Sequence, residues 1–383
     1  MLFELTQEEV LIRDTARKIA TDRIQPLAET LDRGGGRAEF LANLKALAES
    51  GFMAVNIRSE FGGTEAGSVA FALTVEELGY ACASTGVTAS VTNMVAEVIQ
   101  AVGSAAQKRL YIPRLADGTY PAGAFCLTEA AAGSDPAGMK TRARRDGDDF
   151  VLDGQKLYIT SGEYAGLFIV WAVTDPEAKK GKGISCFLVE AGTPGLTIGK
   201  AEKKLGQHGS ATNVVHFDGC RVPGSALMGK LDDGFRIAVG ELAGGRIGIA
   251  ALSLGIARAA MDAAKAYVRE RQQFGQAISE FQGIQWMIAD RETDLEAARL
   301  LILSAAARKD RGEPFGREAS MAKLFASEAA LRATDTALQL HGGAGYCADF
   351  PVERHFRDAR ITRIYEGTSE VQRLIIARET LRQ

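Results

Sequence analysis

Leu167-Phe168-Ile169-Val170-Trp171-Ala172-Val173, followed after a Gly181-Lys182-Gly183 turn by Ile184-Ser185-Cys186-Phe187-Leu188-Val189, is the stretch on which the fold turns. Each run has the length of a strand rather than a core helix, is rich in β-branched and aromatic residues, and is bounded by turn chemistry. Shorter runs of the same kind lie at Phe150 to Leu152 and Val214 to Phe217, separated by turns such as Asp146-Gly147 and Pro194-Gly195. From about Pro121 to Met228 the chain therefore predicts an antiparallel sheet or barrel.

On both sides of this region the apolar spacing is helical. Thr6 and Glu9 form a capping box ahead of Val10, Ile12, Ala16, Ile19 and Ile24. A second helix ends at Gly51, and Ser104 with Gln107 opens another that runs toward Tyr111 despite Pro113. After Asp233 the helical period returns over about 234–272, then 280–311 behind a Ser279/Gln282 capping box, then 317–340, dense in alanine and leucine as in a packed bundle. At 383 residues the chain exceeds one ordinary core. The reading is an α+β multidomain protein: an N-terminal α-helical domain over 1–120, a middle antiparallel β-barrel domain over 121–230, and a C-terminal four-helix bundle over 231–383.

Composition narrows the function. A net charge of −3 offers no basic field for nucleic acid or an anionic membrane. The five cysteines (Cys82, Cys126, Cys186, Cys220, Cys347) stand far apart with no Cys-x-x-Cys pair, and the four histidines are scattered, which argues against a disulfide framework and a zinc site. His341 and His355 read as structural hydrogen-bonders. The stretch Met1 to Val10 lacks a basic start followed by an apolar core, and no apolar run reaches the ~20 residues of a membrane span, so a cytoplasmic location is expected.

Three segments carry chemistry. Ile364-Tyr365-Glu366-Gly367-Thr368-Ser369-Glu370 sets a carboxylate between an aromatic ring and a glycine, just outside an amphipathic helix with Val371, Leu374 and Ile375 on one face. Alone, Glu366 reads either as an electrostatic cap or as a general base. The loop from Phe125 to Gly138, with Leu127, Thr128, Gly133 and Ser134, offers consecutive backbone N–H groups and a hydroxyl, suited to a pyrophosphate or a carbonyl-rich ring, or simply a tight hairpin loop. Tyr158 and Thr160, two apart on a strand, suit a planar heterocycle. Gly342-Gly343-Ala344-Gly345 lacks the third glycine of a dinucleotide fingerprint and follows a helix, not a strand.

With Glu270-Arg271-Gln272-Gln273-Phe274-Gly275 and Gln339-Leu340-His341-Gly342-Gly343 added, these motifs in this order resemble the acyl-CoA dehydrogenase family over nearly the whole chain. The resemblance implies FAD lying between the β domain and the C-terminal bundle, with a neighbouring subunit of a homotetramer completing the site. Phe125, Leu127, Thr128, Gly133, Ser134, Tyr158, Ile159 and Thr160 would hold the flavin, Thr160 near its N5 and O4; many members carry tryptophan where Tyr158 stands. Arg271, Phe274, Gln282, Gln339, Gly342 and Gly343 would wrap the pyrophosphate and adenosine, with Thr368 and Glu370 in the same shell. Arg271 suits a two-pronged phosphate contact; on composition alone it also reads as a surface charge.

The same resemblance makes Glu366 the base that removes the α-proton of an acyl-CoA thioester while the β-hydrogen leaves as hydride to flavin N5. Its carboxyl is expected to have a raised pKa beside Tyr365 and an apolar acyl chain. Ser134 and Arg246 would line the CoA channel, with Tyr365 and Gly367 beside the thioester. Ala243 departs from the aspartate with which many straight-chain members meet pantetheine. Long-chain and isovaleryl branches place their base near the position of Gly245; here that residue is glycine, so the chain resembles the short-chain, short branched-chain and isobutyryl branches. Val91 to Val102 is expected to floor the acyl pocket. The implied reaction is dehydrogenation of a short or branched acyl-CoA with electrons passed to an electron-transfer flavoprotein. The rivals are a lyase or desulfinase, which typically lacks the glutamate, a non-catalytic scaffold, and an oxidase.

Overall fold

Thr6 accepts a hydrogen bond from the Glu9 N–H at 3.2 Å and Glu9 accepts one from the Thr6 N–H at 2.7 Å, so α1 (Gln7–Ile19) begins where its capping box predicts. The computed structural model describes residues 4–382, without the Glu241 side chain; Met1 to Phe3 of the N-terminal stretch read above lie outside it. Helices α2 (Ala28–Asp32), α3 (Arg37–Glu49), α4 (Gly67–Ala81), α5 (Ala83–Val102) and α6 (Ala105–Ala116) follow. The last starts on the Ser104/Gln107 capping box and continues through Pro113.

The middle of the chain is β1 (Gly123–Cys126), β2 (Arg142–Asp146), β3 (Asp149–Thr160), β4 (Leu167–Val173), β5 (Ile184–Glu190), β6 (Leu196–Ala201), β7 (Thr212–Pro223) and β8 (Leu227–Met228). Their order in the sheet is β6-β7-β3-β2-β4-β5-β8, with β1 parallel along β4. The sheet curls around a core of its own, where the rings of Phe150 and Phe187 are 5.0 Å apart. The expected barrel is not closed: among the described residues no ladder joins β6 to β8. β8 is two residues long and offers little edge for a closing ladder, so β6 stays an exposed edge strand.

The decisive runs read as continuously apolar because they are buried on both faces. Along β4, Phe168, Val170 and Ala172 enter the sheet core, while Leu167, Ile169 and Trp171 pack against the helices.

The C-terminal part comprises α7 (Gly234–Glu270), a β9–β10 hairpin (Gln272–Gln273 and Gln276–Ala277), α8 (Gln282–Asp310), α9 (Gly316–His341), α10 (Val352–Arg360) and α11 (Ser369–Leu381). The Ser279/Gln282 capping box does not form. Ser279 lies in a single 3₁₀ turn, its carbonyl accepts from Gln285 Nε2 at 3.0 Å, and α8 opens at Gln282 with no side-chain cap. Helix α7 is long and apolar enough to cross a membrane by length and composition, but 83% of that window is buried inside the protein. One apolar core runs through both helical parts. Buried Glu76 and Glu77 of α4 tie them together: Arg258 of α7 reaches Glu76 at 2.7 Å and Glu77 at 3.0 Å, and Arg299 of α8 reaches Glu76 at 2.7 Å.

Candidate active site

A cavity of about 450 Å³ opens where the three parts meet. Val87, Val91 and Met94 of α5 line one end, the loop from Phe125 to Pro136 and the end of β3 form one wall, and α7 with α11 closes the rest. Of the expected acyl floor, Val91 and Met94 face the cavity; Val95 and Val98 do not line it and belong to the helical core.

Glu366 reaches this cavity through an unusual turn. It has φ of 51° and Gly367 has φ of 91°, two successive residues in the left-handed region, where a non-glycine side chain is strained. Gln372 Nε2 donates to the Glu366 carbonyl at 3.2 Å and the Gly367 carbonyl at 2.9 Å, and Lys323 Nζ donates to the Gly367 carbonyl at 2.7 Å. Thr368 then caps α11, accepting from the Val371 N–H at 3.3 Å. The turn aims the carboxyl inward. Glu366 Oε2 is shielded from solvent and has no hydrogen-bond partner. A side chain at Gly245 of α7 would collide with that oxygen. Burial pushes the Glu366 carboxyl up to about 7, against the pull of Lys323 and Arg246.

Arg246 is buried, its Nη1 3.5 Å from Ser320 Oγ, and its Nε has no partner. Tyr365 is held by Gln207, whose Nε2 donates to the phenol oxygen at 3.3 Å and to the Asp358 carbonyl at 3.1 Å. Burial pushes Asp358 up to about 6.

The opposite wall is braced from below. Lys156, completely buried, donates to the Leu127 carbonyl at 3.2 Å and to Glu129 at 2.7 Å, and the Leu157 N–H donates to the Thr128 carbonyl at 2.8 Å. Phe125 leans on Trp171 with ring centroids 4.3 Å apart. Tyr158 has φ of 58° at an irregularity in the β3–β7 ladder and remains 65% exposed on the cavity wall beside Thr160.

Phe125, Leu127, Thr128, Gly133, Ser134, Tyr158, Thr160, Arg246, Tyr365, Glu366 and Gly367 therefore share one cavity. Ile159 does not: its side chain alternates into the sheet core, leaving only its main chain available to a ligand. Arg271, Phe274, Gln282, Gln339, Gly342 and Gly343 lie exposed on the outer surface of the bundle, Phe274 at 93%, and none lines the cavity. Thr368 is occupied as a cap, and Glu370 points to solvent. Ala243 lines a neighbouring cleft instead. His341 stacks on Tyr267 at 4.3 Å, and burial pushes His355 down to about 3.

Sequence reasoning missed Lys323, Gln372 and Gln207. For Lys323 a signal exists: a lone lysine among Ala319, Ser320, Ala322, Ala326 and Ser327 falls on the small-residue face that α9 buries.

A strained turn that drives an unpaired carboxyl into a cavity, facing a braced wall with an exposed ring, defines an enzyme site rather than a passive binding surface. Family models describe the chain throughout: acyl-CoA dehydrogenase N-terminal domain over residues 6–119, middle domain over 124–220 and C-terminal domain over 232–381. An acryloyl-CoA reductase (NADH) of Anaerotignum propionicum is 45% identical, covering 100% of this chain and 97% of that protein. The butyryl-CoA dehydrogenase structure from Megasphaera elsdenii superposes with a TM-score of 0.95 at 38% identity, covering all of both chains. A chain in a structure described as the electron transferring flavoprotein of Acidaminococcus fermentans gives 0.97 at 41% identity, again over both whole chains. The protein belongs to the acyl-CoA dehydrogenase family, an FAD-dependent oxidoreductase family.

Proposed function

We propose that this enzyme dehydrogenates a short or short branched-chain acyl-CoA thioester to the 2-enoyl-CoA, with Glu366 as the base for the α-proton. The observation that carries the reading is the Glu366 carboxyl itself, pressed into the cavity with Oε2 unpartnered and its pKa pushed up to about 7 by burial. A weak carbon acid needs a base matched to the working pH and poorly solvated, and this one is both. Val87, Val91 and Met94 limit the room beyond it, which favours a short acyl group.

The residues fit a flavin. Tyr158 offers an exposed ring on the wall, Thr160 a hydroxyl, and Gly133 has open space where a Cβ would stand, so its backbone can be approached closely. Phe125, Leu127, Thr128, Gly133, Ser134, Tyr158 and Thr160, with the main chain of Ile159, would hold it. When bound, FAD supplies the oxidant that accepts the β-hydrogen with its electron pair. Ser134, Arg246, Tyr365 and Gly367 flank the path of the thioester, and Glu366 keeps the α-proton it takes inside a water-poor pocket.

The exposed set Arg271, Phe274, Gln282, Gln339, Gly342 and Gly343 supports a site completed by a second subunit. The enzyme is proposed to work in the cytoplasm as a homotetramer, with an electron-transfer flavoprotein as acceptor, the last supported by the likeness to the Acidaminococcus fermentans structure. The test is colour. The purified protein should be yellow, and anaerobic butyryl-CoA or isobutyryl-CoA should bleach it. Glu366→Gln should stay yellow and bleach about 10²–10⁴-fold more slowly; bleaching at the parental rate would show that another group takes the proton.

The Anaerotignum propionicum relative favours a second reading, net reduction of a short 2-enoyl-CoA, in which the protonated Glu366 returns the α-proton. NADH with an electron-transfer flavoprotein consuming acryloyl-CoA faster than butyryl-CoA is oxidised would select it.

A further inference from the structure

Two lysines of the described chain are completely buried, Lys156 and Lys323. Lys156 has Glu129 at 2.7 Å, whereas among the described residues no carboxylate lies within ion-pair distance of Lys323. A buried ammonium without a contacting anion is costly, so its surroundings must offset it. Among the described residues the one hydrogen bond of Lys323 goes to the Gly367 carbonyl, at 2.7 Å, in the strained Glu366–Gly367 turn. Gln372 of α11 donates to the same carbonyl from another side.

We propose that Lys323 is the positioning residue of the Glu366 base: it anchors the left-handed Glu366–Gly367 turn through the Gly367 carbonyl and, with Arg246, sets positive charge opposite the carboxyl. The inference rests on the reading of Glu366 as the base. Every charge facing the pair fits it. Helix α7 presents Arg246 and α9 presents Lys323 to the single carboxyl of Glu366, and Ser320, one turn before Lys323, lies 3.5 Å from Arg246. Glu328 of α9 and Glu370 of α11 act on Lys323 more weakly than Glu366 and Arg246 do. Tyr365, the neighbour of Glu366, adds no charge: a phenol is neutral near pH 7, and burial raises its pKa further.

Burial pushes the Lys323 amine down to about 8, Glu366 draws it up and Arg246 pushes it further down. Lys323 in turn draws Glu366 down. Such coupling is reciprocal, so each group must report the loss of the other.

The holoenzyme tests this through the infrared band of the Glu366 carboxyl, assigned by its disappearance in Glu366→Gln. In Lys323→Met the pH midpoint of that band should rise by about one pH unit or more, and the pH profile of flavin bleaching should move with it. Gln372→Leu removes the other donor to the Gly367 carbonyl without removing a charge; it should slow bleaching and leave the midpoint in place. An unchanged midpoint in Lys323→Met overturns the proposal. Should that variant not fold, lysine-labelled holoenzyme gives the reciprocal measurement by NMR: one lysine resonance should titrate at lower pH in Glu366→Gln, and no change in any lysine would equally overturn it. Both midpoints are read whether or not Glu366 is the base. Failure of the base assignment would instead appear as parental bleaching in Glu366→Gln.

Discussion

The Glu366 carboxyl fills the volume into which a side chain at Gly245 would project. A Cβ built there collides with Glu366 Oε2 and stands 2.8 Å from Met94 Sδ. Helix α7 and the turn before α11 therefore aim at one point, which gives a physical reason why a base could be mounted on either, and why a short residue at one accompanies a glutamate at the other.

Gly245→Ala follows directly. Alanine favours a helix over glycine by about 1 kcal/mol, so the helix itself should tolerate the change. The cost falls on Glu366, which must leave its position, and on Met94, whose sulfur must give way. Bleaching by butyryl-CoA should slow at least about tenfold with little loss of thermal stability. Gly283→Ala, in open space at the start of α8, should alter neither.

The pH dependence has a defined sign. The folded pKa of Glu366, about 7, lies above its ordinary value of 4.5, so its contribution to stability is fully present below about 4.5 and is lost as pH rises through about 7. Glu366→Gln should match the parent at low pH and be more stable above pH 7, by up to on the order of 3 kcal/mol in denaturant titrations. Activity runs the other way: bleaching by the parent should climb as the carboxyl ionises through about pH 7. A flat rate profile between pH 5.5 and 8.5 would contradict this, as would equal stability of the two proteins at high pH.

Much of this was legible before folding, because the informative patterns are local. The runs at Leu167 to Val173 and Ile184 to Val189 are continuously apolar since both faces are covered, and they appear as β4 and β5. The Thr6/Glu9 and Ser104/Gln107 boxes form as written, yet the same spacing at Ser279/Gln282 does not, since the chain leaving the β9–β10 hairpin turns once as 3₁₀ before α8 starts. Glu366 is visible as a motif. The roles of Lys323 and Gln207 are not, for each acts through a contact between segments far apart in sequence, and the small-residue face around Lys323 marks it only as buried; Gln372 lies five and six residues from the carbonyls it binds, but the spacing does not show which way its amide turns. Arg271, Phe274 and Gln339 remain outside the cavity of a single chain, so no reading of one chain's geometry joins them to it.

Lys156→Met should be among the most damaging single changes outside the turn. It strands Glu129, a buried carboxylate held low by Lys156 against a burial effect that would raise it, and removes the donor beneath Leu127. Breaking one partner of a buried pair costs about 3–5 kcal/mol. Adding Glu129→Gln should recover part of that loss, because the amide carries no unpaired charge. Urea denaturation of the single and double variants measures both, and a double variant less stable than Lys156→Met would refute the pairing as the cause.

Chain-length preference should follow Val91 and Met94, two of the three α5 residues that line the cavity. Each buried methylene is worth about 0.8 kcal/mol, or about fourfold in kcat/KM when the pocket can take it and nothing when it cannot. Met94→Ala should therefore extend the range of accepted substrates by one or two carbons, while Val91→Phe should depress butyryl-CoA relative to propionyl-CoA. Flavin affinity should stay unchanged in both, since neither residue belongs to the Phe125–Thr160 wall. Specificity constants over a series from three to eight carbons decide the matter: identical profiles in parent and variants would mean that a different surface limits the acyl chain.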